Sequence, residues 1–309
     1  MQPIYALKVS SISVRLHQGY IMGQTSQVDH GVEFEFVAEL GKHLSDGDFD
    51  IPAFPDNAVR ITQALEDPDI SADQAARVIG SDPVFSARLL KVANSALLNA
   101  SGQPIDDLRT AIARMGFKQA YNTVMSVAVE QVMHAKTTQR LRAQLQVLWH
   151  RSVMVAAYSY VIARKLTRIN PDAAMLGGLL HNIGKFYILT ESEKFPGFAD
   201  DPDALEHVMQ EWHGGVGRGI LESWGFSEEL IKVPDEHEAI HRDTEGVDLV
   251  DVVMIANLFS QQVEAEDEYE QNWEDVTAMQ HLHLTAQDVM DIYTDYHDEI
   301  DSMIRALEG

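Results

Sequence analysis

Two dipeptides, Asp82-Pro83 and Asn170-Pro171, restrict what this chain can fold into more than any other feature. In each, a short side chain able to accept from helix N-terminal amides precedes a proline. Proline is tolerated at the first helical position because the N–H it lacks would have no partner there. Behind each start signal the apolar residues recur at spacings of three and four: Phe85, Leu89, Val92, Ala93 and Ala96 after the first, and Leu176, Leu179 and Leu180 after the second. Ser71 with Gln74 has the spacing of a capping box, ahead of Ala72, Ala75, Ala76 and Ile79. Thr285 with Asp288 opens a last stripe of Ile292, Tyr296, Ile300, Met303, Ile304 and Leu307. Ala58, Ile61 and Leu65 share one face, and Leu108, Ala111, Ile112 and Met115 form another stripe, stopped by Gly116. Residues 117–133, 149–166, 212–224, 228–233 and 247–263 are further helical stretches, and no strand pair is evident after residue 50. These signals predict an all-α protein with two helical halves that meet near residue 140.

The segment before residue 50 reads differently. Ile12, Val14 and Leu16 alternate with Ser11, Ser13 and Arg15, which suits a short irregular or β N-terminal segment. Val32, Phe34 and Phe36 alternate too, but Phe36, Leu40 and Leu44 fit a helix ending near Gly47, and we favour the helix. Ile51-Pro52-Ala53-Phe54-Pro55 is an extended entry, since proline disfavours helix in the residue before it. The expected organisation is an N-terminal segment (1–45), an N-terminal helical lobe (46–140), a second helical lobe (141–265) and an acidic C-terminal helical extension (266–309).

Composition excludes several functions. There is no cysteine among the 309 residues, so disulfides, thiol catalysis and thiolate-bound zinc are ruled out. No leader-like start and no membrane-length apolar run is visible, which leads us to expect a cytoplasmic protein with no membrane association. The net charge of -25 is unevenly placed: residues 1–200 hold 19 Lys+Arg against 20 Asp+Glu, residues 201–309 hold 4 against 28. Such a surface repels nucleic acid, and the eight basic residues between Arg88 and Arg142 are too few to form a nucleic-acid patch. An acidic surface of this kind serves solubility or docks a basic partner.

Five stretches, taken in order, carry a resemblance: Ile51-Pro52-Ala53-Phe54-Pro55, Ser81-Asp82-Pro83, the run Leu89 to Ala96 (Leu-Leu-Lys-Val-Ala-Asn-Ser-Ala), Ala111-Ile112-Ala113-Arg114-Met115-Gly116 and Gly178-Leu179-Leu180-His181-Asn182-Ile183-Gly184-Lys185. Over roughly residues 45–260 the chain resembles the HDOD family, the HD-related output domain of bacterial signalling proteins. The resemblance implies an all-helical, two-lobed fold whose second half is similar to the HD phosphohydrolase superfamily. It also implies regulatory or signalling proteins as partners. In HD hydrolases an early His, a His-Asp pair and a distant Asp bind one or two metals. Here the early position falls in Trp149-His150-Arg151-Ser152, so Arg151 stands where the ligand would be and His150 lies one residue away, about 100° round a helix. His181 matches the pair's His, Asn182 replaces its Asp, and the best match to the distant Asp is Asn257. His213, before Gly214-Gly215-Val216-Gly217, matches an additional His of some HD subfamilies; His237 matches the first of a later His-His pair, with Glu238 in the second place.

Asparagine is neutral where aspartate would bring charge and bridge two cations, and Arg151 would set a fixed positive charge beside the site. We therefore expect no metal cofactor and no catalytic residue, but a vestigial pocket around Arg151, His181, Asn182, His213 and Asn257. Arg151 would let that pocket take a small anion or nucleotide. The expected function is a non-catalytic regulatory module acting through protein contacts. The enzyme alternative is a residual phosphohydrolase with a divalent metal on His181, His213, His237 and His241. His237-Glu238-Ala239-Ile240-His241 also satisfies the zinc-protease pattern His-Glu-x-x-His, with Glu264 the one obvious third ligand; we read it as a chance match, since Pro234 and Gly246 leave it little helix.

Overall fold

The computed structural model describes residues 30–46, 55–135, 138–244, 246–264 and 272–308, and among these there is no β-strand. The alternating segment at Ile12–Leu16 and the entry at Ile51–Phe54 lie outside the described residues. Helix α1 (His30–Asp46) is followed by α2 (Asp56–Glu66), α3 (Ala72–Ile79), α4 (Pro83–Ala93), α5 (Leu108–Met115) and α6 (Phe117–Ala135). The start signals act as anticipated. The Ser71 hydroxyl accepts from Gln74 N while the Gln74 side chain accepts from Ser71 N, closing the capping box at α3. Asp82 Oδ1 accepts from Val84 N at 2.8 Å and Phe85 N at 3.4 Å, and its Oδ2 from Asn57 Nδ2 at 2.9 Å. Asp82→Ala should therefore cost about 1 kcal/mol in urea unfolding, and Asp82→Asn, which keeps an acceptor, much less. Gly116 ends α5 at φ +84°, a conformation open to glycine without strain.

Two apolar cores follow. Helices α2–α6 enclose the smaller one, built on Ile61, Ile79, Phe85, Leu89, Ile112 and Val124. Helix α6 faces both: Val124, Val127 and Ala128 point into the smaller core, Met125, Val129 and Met133 into the larger. The two halves are thus joined through one shared helix rather than by a linker alone.

The larger core centres on α7 (Arg142–Leu166). Every residue from Ser152 to Ala163 is buried, so over this stretch the helix has no solvent stripe. It is enclosed by α8 (Pro171–Leu180), α13 (Leu249–Glu264) and α15 (Ala286–Glu308). Between them run α9 (Ile183–Ser192), α10 (Pro196–Ala199), α11 (Pro202–Ser223) and α12 (Glu228–Glu236), and α14 (Thr277–Leu282) lies beyond α13. Helix α1 belongs to this core as well: Phe36 stacks on Phe198 with centroids 4.4 Å apart and meets Phe195 edge-on. At the other end of the chain, α15 belongs to the larger core and reaches the first half of the molecule through α4. Arg88 of α4 donates to the Leu307 carbonyl, and Ala96 N donates to Ser302 Oγ at 2.8 Å. No helix among the described residues is long and apolar enough to cross a membrane.

Candidate functional site

Helix α8 stops at Leu180, the pair His181-Asn182 makes a turn, and α9 begins at Ile183. Backbone proximity fixes what stands opposite that turn. A Cβ on Gly184 would lie 1.9 Å from the carbonyl oxygen of His213 and 2.8 Å from Gly217 N, so α9 and α11 touch main chain to main chain. Gly217 in turn admits Pro234 of α12, whose Cβ a side chain there would meet at 2.6 Å. Gly214 and Gly217 are therefore packing residues that let α9, α11 and α12 converge. At the point of convergence lie His181, His213 and His237, each at most 4% exposed. The rings of His181 and His237 meet edge-to-face at 4.9 Å, those of His213 and His237 at 5.5 Å.

The hydrogen bonds determine the tautomers. His181 Nδ1 lies 2.6 Å from Gly178 O, His213 Nδ1 2.7 Å from Met209 O, and His237 Nδ1 3.0 Å from Pro234 O and 3.1 Å from Val233 O. A carbonyl can only accept, so each Nδ1 carries the proton, and in a neutral ring Nε2 keeps its lone pair. All three Nε2 atoms are buried without a hydrogen-bond partner, as is Asn182 Oδ1. Burial above all, then the neighbouring His237 and the cations Lys185 and Arg151, holds His181 well below the usual imidazole range. The same cause, with Lys185 second, pushes His213 down to about 4.

One carboxylate faces this cluster. Glu238 Oε1 is 3.6 Å from His213 Nε2, 3.5 Å from His237 Nε2 and 2.9 Å from Lys185 Nζ. Burial alone would raise its pKa; the close approach of His237 and the Lys185 charge outweigh that and hold it well below the usual carboxylate range. Its side chain is 41% exposed, so it forms the solvent-side wall of an otherwise buried group. The segment carrying His237 and Glu238 is pinned from behind. Arg242, 7% exposed, binds Glu236 Oε2 (2.7 Å), Asp248 Oδ2 (2.7 Å) and the fully buried Asp251 Oδ1 (2.8 Å).

The expected site residues fare differently. His181 and His213 come together through His237, and Asn182 is buried next to His181 in the chain with its Oδ1 unpartnered. Arg151 is half-buried on α7, near enough for its charge to act on His181. Asn257 is buried on α13. His150 is directed elsewhere, its Nδ1 paired with Glu308. His241 is exposed, and residues 237–241 are not helical, so the His-Glu-x-x-His pattern cannot put both imidazoles on one helix face. The side chain of Glu264 lies outside the described residues. Sequence reading passed over Lys185 and Arg242 as functional positions. Arg242 carried a signal, being one of four Lys+Arg among residues 201–309; a basic residue so isolated among acids invites the question of what it neutralises.

The model of the HDOD domain matches residues 51–240, more than half the chain, and the protein belongs to that family. Among solved structures, the chain is similar to a Shewanella amazonensis protein described provisionally as a metal-dependent phosphohydrolase, with a TM-score of 0.76 and 29% identity over 90% of this chain and 99% of that one. An HDOD domain protein of unknown function from Geobacter sulfurreducens shares the fold with a TM-score of 0.65 and 21% identity, over 90% and 99% of the two chains. An uncharacterised protein of Treponema pallidum is 25% identical over 252 residues, which is 76% of this chain and 47% of the relative; the chain thus spans about half the length of that curated relative.

Proposed function

We propose that this HDOD protein is a signal-transduction module that does not hydrolyse phosphodiesters and whose output is a protein contact. One observation carries the reading: the residue beside His181, where a bridging carboxylate would stand, is the neutral Asn182, buried to 2% exposure. Hydrolysis by metals needs a cation-bound hydroxide placed against the phosphoryl group and enough charge to neutralise it. Glu238, the carboxylate facing the cluster, is engaged by Lys185. The three Nε2 atoms are also covered by protein. The provisional description of the Shewanella amazonensis relative as a metal-dependent phosphohydrolase supports an ancestral hydrolase frame; the amides at 182 and 257 argue against carrying such an activity over. The lopsided charge of the last 109 residues, 4 basic against 28 acidic, fits a contact with a basic partner protein.

The test is turnover. Protein supplied with Mn2+, Fe2+ or Zn2+ should hydrolyse neither cyclic dinucleotides nor bis(p-nitrophenyl) phosphate faster than the metal in buffer. Turnover that disappears in His181→Ala and His237→Ala would overturn the reading and restore the residual phosphohydrolase.

A further inference from the structure

Two arginines of the first half share an open cavity whose lining holds no acid. The cavity, about 300 Å³, lies where α2, α3 and the turn into α4 meet, and is lined by Arg60, Ala64, Arg77, Val78 and Ser81. Arg60 Nη2 donates to Ser81 Oγ at 2.6 Å, and the Ser81 hydroxyl gives its single proton to Val78 O at 2.7 Å. A neutral acceptor therefore orients the Arg60 guanidinium and leaves its charge uncompensated. Neither Arg60 nor Arg77 has an ion-pair partner among the described residues, in a chain with 48 Asp+Glu against 23 Lys+Arg. Arg88, Arg140, Arg218 and Arg242 each pair with a carboxylate. Two like charges on one cavity repel, and an anion between them removes that cost.

We propose that this cavity binds a small phosphomonoester, its phosphoryl group held by Arg60 and Arg77 and its apolar body set against Ala64 and Val78. The guanidinium fork matches phosphate oxygens in pairs. A phosphomonoester carries about −1.5 to −2 charges at pH 7 and offsets both arginines, which a single carboxylate does not. The volume stands at the low end for small-molecule sites, roughly 300–1,000 Å³, and leaves room for more than a bare phosphate. The acidic last third does not forbid an anion here, because residues 1–200 are close to neutral, with 19 Lys+Arg against 20 Asp+Glu. Helices α2 and α3 pack into the smaller core, whereas the helices that carry the imidazole cluster pack into the larger one. The site is thus separate from that cluster and independent of the non-hydrolytic reading. Beside it, Asn57 Nδ2 already donates to Asp82 Oδ2 at 2.9 Å. A ligand on both arginines would add a further tie between α2 and the end of α3, and so give the first lobe a ligand-dependent joint.

The experiment titrates phenyl phosphate into full-length protein labelled at its Ala and Val methyls, with inorganic phosphate and phenol in parallel. Saturable NMR shifts should appear at the methyls of Ala64 and Val78. Phenyl phosphate should bind several-fold more tightly than inorganic phosphate, and phenol should not bind. Arg60→Gln and Arg77→Gln should each weaken phenyl phosphate about tenfold, the loss of one charged hydrogen-bonding group. Both side chains are exposed, so neither substitution disturbs the core. Arg168→Gln, which removes an exposed arginine outside the cavity, should change nothing. Four results would each overturn the assignment: no saturable shift at Ala64 and Val78, shifts confined to methyls beside the imidazole cluster, inorganic phosphate binding as tightly as phenyl phosphate, or a loss in Arg168→Gln equal to that in Arg60→Gln. Phosphodiester turnover would sink the non-hydrolytic reading and leave this site standing.

Discussion

Gly184→Ala should be among the most damaging single-atom changes this protein can suffer. The added methyl would stand 1.9 Å from the carbonyl oxygen of His213 and 2.8 Å from the backbone of Gly217, and neither can rotate away. Helices α9 and α11 must separate by an ångström or more. Overpacking on this scale costs roughly 3 kcal/mol or more, against about 1 kcal/mol gained from alanine's better helix propensity. The midpoint of urea unfolding should fall accordingly. The separation would also pull His213 from His237. Gly215, two positions into the same glycine run, has nothing within 4 Å of its would-be Cβ. Gly215→Ala should be neutral or stabilise by up to about 1 kcal/mol. Equal effects of the two substitutions would refute the close-contact account.

Arg242→Met should cost about 3–5 kcal/mol. The guanidinium neutralises Glu236, Asp248 and Asp251 at once, and Asp251 has no solvent exposure. Burial alone would raise the Asp248 carboxyl; the hydrogen bonds and charge of Arg242 more than offset this and keep it below the usual range. Removing the cation leaves a buried carboxylate with His281 Nδ1, 3.2 Å away, as its remaining side-chain ion-pair partner. Arg242→Lys should recover only part of the loss, because an ammonium cannot serve three carboxylates in a planar fork. Adding Asp251→Asn to Arg242→Met should restore some stability, and a double-mutant cycle measures how much. The consequence reaches the pocket, because Glu236 immediately precedes His237 and Glu238. If the variant unfolds like the wild type, the network is not what holds that turn.

Local rules accounted for most of the helices. Asp82, Ser71, Asn170 and Thr285 each cap the helix their neighbours announced, because a capping bond spans only two or three residues and is written in adjacent letters. Apolar spacing likewise anticipated α7 as a long helix, although its burial on every side depends on α8, α13 and α15 closing around it. The participation of α1 in the larger core was not readable: Phe36 finds Phe198 across more than 160 residues, and no periodicity encodes that distance.

The candidate site divides along the same line. The sequence by itself determined the chemical inventory: no thiolate, one His-Asn pair, an arginine next to His150, and enough histidines for a cluster without saying which would meet. Only the tertiary structure decided that His237 and Glu238 join His181 and His213 while His150 and His241 turn away. The physical reason is that the helices carrying these side chains converge through backbone contacts at Gly184 and Gly217, while carbonyls fix each tautomer. Those contacts exist between helices and not within any of them.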